Sequence, residues 1–214
     1  MSSSAVLGKI YISLMAMKLF DAGAIRTIVD CGCGSGTYHN MLSAHLPGAR
    51  WTGVEVWEPY VEEFNLRNRY DKIVVADCRH FDFASVAPAD LVIFGDMVEH
   101  MTKAEAVVMV DRARSVAPYV MISIPVVKYP QDAEGANPFE AHVKDDWSHN
   151  EVLQTFPGIT AFLIHGFIGV YILTNAEGPA GLVTELQTII PDQVREQVPK
   201  DPLAWGGWYI RNHL

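Results

Sequence analysis

A glycine-rich segment follows an apolar run directly and is the first part of the chain whose residue types suit ligand binding. It reads Asp30-Cys-Gly-Cys-Gly-Ser-Gly36 and stands after Thr-Ile-Val. Glycines let the backbone turn sharply and come close to a ligand. The spacing differs from the dinucleotide fingerprint G-x-G-x-x-G, because Thr37 stands where that fingerprint requires its third glycine. The segment therefore predicts a ligand-binding turn between a buried strand and a helix.

Carboxylates also follow the next two apolar runs. Glu55 ends the second run, 19 residues beyond Gly36, and Asp77 follows the third run. A carboxylate has several acceptor sites and is able to accept hydrogen bonds from two neighbouring ribose hydroxyls. Ligands in open α/β sheets bind outside the carboxyl ends of the strands. Acids at three successive strand ends therefore indicate one shared binding edge.

The fourth apolar run leads into a group of side chains suited to proton transfer. Asp96, Glu99 and His100 stand close together in the sequence, and His142 lies in the segment 125–147. That segment is too long for a plain connection, so we expect it to be a substrate lid or binding loop. Carboxylates and imidazoles act as general acids and bases. The alternative is that Glu99 and His100 only orient their loop through hydrogen bonds.

Short apolar runs that alternate with helical patterns must position these groups. The alternation is typical of βα units wound into a parallel sheet. Two β-rich runs at the end are separated by only two residues, which allows only an antiparallel hairpin. The sequence thus predicts an α/β, Rossmann-like doubly wound sheet of seven strands with the last strand antiparallel. The predicted strands are 27–31, 51–56, 72–75, 91–94, 119–124, 159–165 and 168–174.

The composition predicts one globular domain. Half of the 214 residues are hydrophobic, and the formal net charge of −9 argues against nucleic acid or a membrane surface as a main electrostatic partner. The three cysteines match neither a disulfide framework nor a zinc ligand set, which favours a reducing, cytoplasmic setting.

Lys9 and Lys18 interrupt the apolar segment 5–20, so we interpret 1–24 as a packed helix rather than a signal peptide. A core at 25–174 and an extension at 175–214 complete the domain.

The glycine loop and the strand-end acids resemble the motifs of the class I S-adenosylmethionine (SAM)-dependent methyltransferases over roughly residues 25–174. The resemblance implies that the loop wraps the amino-acid part of SAM with Asp30 near its ammonium group. Glu55 would bind the ribose, Asp77 would accept from the adenine amino group, and Val56 or Trp57 would cover an adenine face. The cofactor-binding residues expected on this basis are Asp30, Gly32, Cys33, Gly34, Gly36, Glu55, Val56, Trp57, Asp77, Cys78 and Asp96.

The same resemblance implies methyl transfer from SAM; we expect the acceptor to be an oxygen or nitrogen of a small molecule, and we expect no metal. The segment after the fourth strand resembles the motif that passes the sulfonium, which makes Asp96, Glu99, His100 and His142 the catalytic candidates. These four also resemble the magnesium site of the RNA 3′-terminal 2′-O-methyltransferases, although that family has Glu in place of Asp96 and histidine is an unusual magnesium ligand. A third alternative is a SAM-binding protein without catalysis. Segments 54–64 and 137–157 resemble uncharacterised methyltransferases of phage and bacterial genomes.

Overall fold

A mixed β-sheet forms the centre of the molecule. The computed structural model describes residues 6–133, 135–175 and 209–210. Buried, β-branched segments form the strands, as expected for a sheet covered on both faces. The strands are β1 (Thr27–Cys31), β2 (Arg50–Glu55), β3 (Lys72–Val75), β4 (Leu91–Gly95), β5 (Tyr119–Pro125), β6 (Ile159–His165), β7 (Ile168–Thr174) and β8 (Tyr209–Ile210).

The strand order is β3-β2-β1-β4-β5-β7-β6-β8. The first five strands pair in parallel, and β7 runs antiparallel to both β5 and β6. The order reverses between β1 and β4, which is the switch point where open α/β sheets bind their ligands. The predicted doubly wound sheet with an antiparallel closing strand is confirmed.

Five α-helices connect or cover the strands in the described part of the chain. Thr102 caps α4 through a reciprocal pair with Glu105, and Ser148 caps α5 by accepting from the Glu151 N–H. The helices are α1 (Val6–Asp21), α2 (Thr37–Leu42), α3 (Glu58–Glu63), α4 (Lys103–Arg114) and α5 (His149–Thr155).

Two apolar clusters pack against opposite faces of the sheet. Side chains of α1 and α2, among them Ile12, Leu19 and Leu42, form one cluster with alternate residues of the central strands. Side chains of α4 and α5, among them Met109 and Val152, cover the other face. This double coverage explains why the central strands read as continuous apolar runs.

The N-terminal helix is part of this core rather than an appendage. Tyr11, Ile12, Met15 and Leu19 are all buried, so α1 packs on the sheet as the sequence predicts. Among the described residues, no helix combines the length and apolar composition needed to cross a bilayer.

The sequence prediction missed the short strand β8, which pairs with β6 as an eighth, edge strand. Most of the predicted C-terminal extension, 176–208 and 211–214, lies outside the described residues. Cys31, Cys33 and Cys78 are buried and form no disulfide within the described part of the chain.

Candidate active site

A cavity of about 570 Å³ opens at the carboxyl ends of the parallel strands. The loops after β1, β2, β3 and β4 line one part of it. Residues of α1, α2 and α3, the loop between β5 and α5, and the β6–β7 turn line the rest. The cavity therefore lies at the β1/β4 switch point, where the strand order predicts a ligand site.

The glycine loop turns away from β1 with three residues in the left-handed region. The φ angles are 66° at Gly32, 52° at Gly34 and 73° at Gly36. A Cβ on Gly32 would lie 2.8 Å from Cγ of Met97, so only glycine keeps this wall of the cavity open. Gly32, Cys33 and Gly34 line the cavity. Gly36 does not line the cavity; it directly precedes α2, and its carbonyl accepts a hydrogen bond from Arg69.

Glu55 connects the glycine loop to the end of β2. One carboxylate oxygen accepts from the Gly34 N–H and the other from the Trp57 N–H, both at 2.8 Å. Burial raises the pKa of Glu55, and these two N–H groups partly oppose that shift. Each oxygen keeps acceptor capacity after one bond. Glu55 thus holds the loop in shape and still faces the cavity with sites for hydroxyl donors.

Asp77 and Cys78 line the cavity beyond β3, as does Val56 after β2. Arg79, which the sequence analysis missed, binds both carboxylate oxygens of Asp77, with Nε at 3.0 and 2.9 Å. Burial alone would raise the pKa of Asp77, but the hydrogen bonds from Arg79 outweigh it and lower the pKa. Asp77 is therefore a charged acceptor that is already oriented at the cavity wall.

Asp96 follows β4 and is fixed from two sides. Lys9 of α1 approaches one carboxylate oxygen at 2.6 Å, and Ser123 of β5 donates to the other at 2.8 Å. The Asp96 backbone has φ of 53°, a left-handed conformation that is rare outside glycine. Lys9 was treated in the sequence analysis only as a break in an apolar run. A lysine within an otherwise apolar helix was the available signal for a buried partner.

Glu99, His100 and His142 form a compact group at the acceptor side of the cavity. One ligand atom from each lies within 4.8 Å of the others. Burial raises the pKa of Glu99 well above its ordinary value and lowers that of His100. The Glu99 carbonyl accepts from the N–H groups of Val143 and Lys144, which holds the loop carrying His142 over the cavity. The structure thus brings these three predicted residues together, while the Asp96 side chain is engaged by Lys9.

Three residues expected at the cofactor lie elsewhere. Asp30 is only 1% exposed and does not line the cavity; the Tyr70 hydroxyl donates to it at 2.7 Å beneath the loop. Trp57 also lies outside the lining and places its ring centroid 6.3 Å from that of Phe139. Gly36 shapes the turn, as described above. Asp30 thus lies beneath the glycine loop, hydrogen-bonded to Tyr70 and outside the cavity lining.

The predicted lid or binding loop, segment 125–147, contributes aromatic and imidazole side chains to the cavity wall. Tyr129, Phe139 and His142 line the cavity. Trp147 does not, because it is 1% exposed and stacks on Phe156 in the core.

The lining fits the charge of SAM, which carries a sulfonium and an ammonium group. Six described lining residues are carboxylic acids and two carry a permanent positive charge. Lys9 and Arg79 are both paired, with Asp96 and Asp77. The acid surplus would attract a cationic ligand and repel an anionic one. The lining acids are Glu55, Glu63, Asp77, Asp96, Glu99 and Glu140.

Comparison with known proteins agrees with this site. Residues 29–119 match the family model described as a methyltransferase domain. This segment contains the glycine loop, Glu55, Asp77 and the group after β4. No curated protein sequence matches the chain.

Solved structures share the fold at low sequence identity. A putative O-methyltransferase from Nostoc punctiforme has a TM-score of 0.57 and 13% identity over 77% of this chain, which spans 56% of that protein. The N-terminal domain of EvdMO1, solved with S-adenosylhomocysteine (SAH) and D-fucose, has a TM-score of 0.60 and 15% identity over 78% of this chain and 82% of that one. Magnesium protoporphyrin IX methyltransferase from Synechocystis, solved with SAM, has a TM-score of 0.55 and 16% identity over 79% of both chains.

Proposed function

We propose that this chain, a class I SAM-dependent methyltransferase, transfers the SAM methyl group to an oxygen or nitrogen of a small molecule. The observation that carries the acceptor class is the cavity of about 570 Å³, which falls within the range of small-molecule pockets, roughly 300–1,000 Å³. SAM itself takes up part of that volume, so the space left suits a small acceptor. The acid-rich lining opposes the approach of a polyphosphate chain such as RNA.

The structural neighbours support a small acceptor. One was solved with D-fucose beside SAH, and another acts on magnesium protoporphyrin IX. The aromatic side chains around the cavity mouth suit a neutral organic molecule. Tyr129 stacks on Phe167 with ring centroids 5.4 Å apart, and both line the cavity.

Bound SAM supplies a methyl group on a positively charged sulfur and leaves as SAH. The chain must align the acceptor for in-line attack and remove its proton. Asp96, held by Lys9 and Ser123, gives a fixed carboxylate next to the glycine loop. His100 is partly buried and its pKa is lowered, so its imidazole is neutral near pH 7 and able to take a proton from a hydroxyl or an ammonium group. We assign Asp96 to acceptor alignment and His100 to proton removal, with Glu99 and His142 beside them.

Calorimetry with SAM and with SAH tests the cofactor assignment. We expect both to bind the wild-type chain with one-to-one stoichiometry. Glu55→Gln should weaken SAH binding about tenfold or more, because a hydrogen bond to a charged group contributes about 1.5–3 kcal/mol. Glu58→Gln, an exposed change in α3, is the matched control and should leave binding unchanged. No measurable binding of either compound by wild type would refute the function, whereas unchanged binding by Glu55→Gln would refute only the ribose assignment.

The acceptor class is tested by incubating the chain with methyl-tritiated SAM and two separate pools, a small-molecule extract and small RNA. We expect tritium in the fraction that acid leaves soluble. Label in acid-precipitable RNA would instead support the RNA 2′-O-methyltransferase alternative. If SAH binds and neither pool is labelled while cell-wide extracts also remain unlabelled, the non-catalytic SAM-binding alternative replaces the proposal.

A further inference from the structure

Glu99 is a buried carboxylate with one oxygen to which no described residue donates a hydrogen bond. The residue is 2% exposed and lies in the cavity wall, and Oε2 is the atom without a described donor. A buried polar atom left unsatisfied is costly, and more so when its group is charged. An ionised carboxylate only accepts, so the missing partner is a donor, and a positively charged donor makes the strongest bond to it.

The cations of the cavity wall do not supply that partner. The charge of Lys9 acts on Glu99, but its Nζ lies 2.6 Å from Asp96, and Arg79 is paired with Asp77. Among the described residues, these two are the only lining lysine or arginine side chains, against six lining acids. SAM adds one net positive charge, so the cavity remains acidic when SAM is bound. A second cation is therefore favoured over a neutral or an anionic acceptor.

An aromatic wall leads from Glu99 to the mouth of the cavity. One side-chain polar atom each of Glu99, His100 and His142 lies within 4.8 Å of the other two. The His142 ring centroid is 5.8 Å from that of Tyr129, which stacks on Phe167. Tyr129 and Phe167 are 40% and 41% exposed and line the cavity, so part of their surface is open to a ligand. A buried carboxylate beside an open aromatic pair suits a molecule with one charged end and one apolar end.

We propose that the acceptor is an amine that binds as an ammonium cation, with its N–H groups on Glu99 Oε2 and its apolar part against Tyr129 and Phe167. This inference rests on the proposed function and narrows its acceptor atom to an amine nitrogen. Burial, together with the charge of Asp96, raises the pKa of Glu99, and a bound cation would oppose that shift and stabilise the ionised carboxylate.

The proton balance of methyl transfer fits the same pair of residues. His100 Nδ1 lies 3.1 Å from the Ala141 carbonyl, which only accepts, so Nδ1 carries the proton of the neutral ring and Nε2 keeps the lone pair. The ammonium R–NH₃⁺ gives one proton to His100 Nε2, and the lone pair freed on its nitrogen forms the new N–C bond. The C–S bond breaks and its electron pair returns to sulfur, which leaves SAH. The product R–NH₂⁺–CH₃ carries the same charge as the acceptor that Glu99 binds.

The test compares acceptors that share an aromatic body and differ in the charge of one end. Benzylamine, phenethylamine and 3-phenylpropylamine, each beside its matched alcohol and carboxylate, are titrated by calorimetry into the full chain saturated with SAH. We expect the best amine to bind at least about tenfold more tightly than its alcohol or carboxylate, because hydrogen bonds to charged groups are the stronger ones. Equal or tighter binding of the alcohol or the carboxylate would overturn the inference, and so would binding of none of the amines.

Glu99→Gln keeps the size of the side chain and removes its charge. We expect this variant to weaken binding of the best amine at least about tenfold and that of the matched alcohol less than about twofold. Glu58→Gln makes the same change at an exposed acid outside the cavity lining and should alter neither. Amine affinity that is equal in the two variants would overturn the assignment of Glu99.

SAH calorimetry on the same samples separates this inference from the proposed function. Wild type that binds no SAH would refute the proposed function, whereas SAH binding without preference for the amine would overturn only the inference. The wild-type comparison needs no variant, so it decides the outcome even if Glu99→Gln fails to fold. With methyl-tritiated SAM, we expect label on the best amine and none on its alcohol. A bound amine that stays unlabelled would overturn the assignment of its nitrogen as the acceptor.

Discussion

Replacing Lys9 by methionine tests whether the N-terminal helix stabilises the Asp96 carboxylate at the cavity. Lys9 Nζ lies 2.6 Å from Asp96 Oδ2, with side-chain exposures of 8% and 11%. At an effective dielectric constant of about 20, unit charges at that distance attract by roughly 6 kcal/mol before desolvation is counted. Desolvation offsets much of this attraction, so the net value of such a pair is small. Removing one partner is different, because it leaves the other charge buried without compensation, at a cost of about 3–5 kcal/mol.

We therefore expect Lys9→Met to lower the free energy of unfolding by about 3–5 kcal/mol, measured by urea denaturation followed by circular dichroism. The double variant with Asp96→Asn should recover part of this loss, because the uncompensated carboxylate is then gone. Lys18→Met, on the same helix but outside the cavity lining, is the control for side-chain length and helix propensity. If the free-energy changes of the two single variants sum to that of the double variant within about 0.5 kcal/mol, the coupling between Lys9 and Asp96 is refuted. A loss for Lys9→Met no larger than that for Lys18→Met would also refute it.

Two further predictions concern the glycine loop and its support. Burial raises the pKa of Asp30 from 3.8 to about 7, so its contribution to stability is present below pH 3.8 and is lost as the pH rises toward about 7. In urea denaturation, the free energy of unfolding of Asp30→Asn should thus fall less than that of wild type between pH 3.8 and 7, by up to roughly 4 kcal/mol. An equal fall for both proteins would contradict the burial of a titrating Asp30. Gly32→Ala should lower the free energy of unfolding by about 1–2 kcal/mol and weaken SAH binding, whereas Gly48→Ala, at φ of 80° but with open space around it, should affect stability alone. Calorimetry that finds equal SAH affinity for the two variants would contradict the assigned role of Gly32 in the cavity wall.

Most of the fold could be predicted because its signals are local. Apolar runs, the capping patterns at Thr102 and Ser148, and the short interval between β6 and β7 each act within a few residues. The two-residue strand β8 carries too short a pattern to be separated from a turn, so it was missed. Its pairing with β6 depends on tertiary contact rather than on its own sequence.

The sequence predicted which edge of the sheet carries the site, because that depends only on where the strands end. Glu55, Asp77 and the group after β4 lie at the predicted edge because parallel strands bring their carboxyl ends together. Position along a strand does not decide what a side chain meets there. Asp30 turned out to lie below the loop with Tyr70, which is 40 residues away in sequence. Lys9 and Asp96 are separated by 87 residues, and no periodicity in either segment points to the other.

The contact of α1 with β5 explains how a lysine from the first helix reaches the cavity. A Cβ on Gly8 would collide with Ser123 Oγ, so the absence of a side chain there lets the helix come close to the end of β5. Ser123 is the residue that donates to Asp96, and Lys9 follows Gly8 directly. One close approach thus places both groups that hold the Asp96 carboxylate. Because Lys9 compensates the charge of this carboxylate and Arg79 that of Asp77, the negative charge left for a cationic ligand belongs to the other lining acids. Glu99 is a buried member of this lining, and its Oε2 atom accepts no hydrogen bond from the described residues.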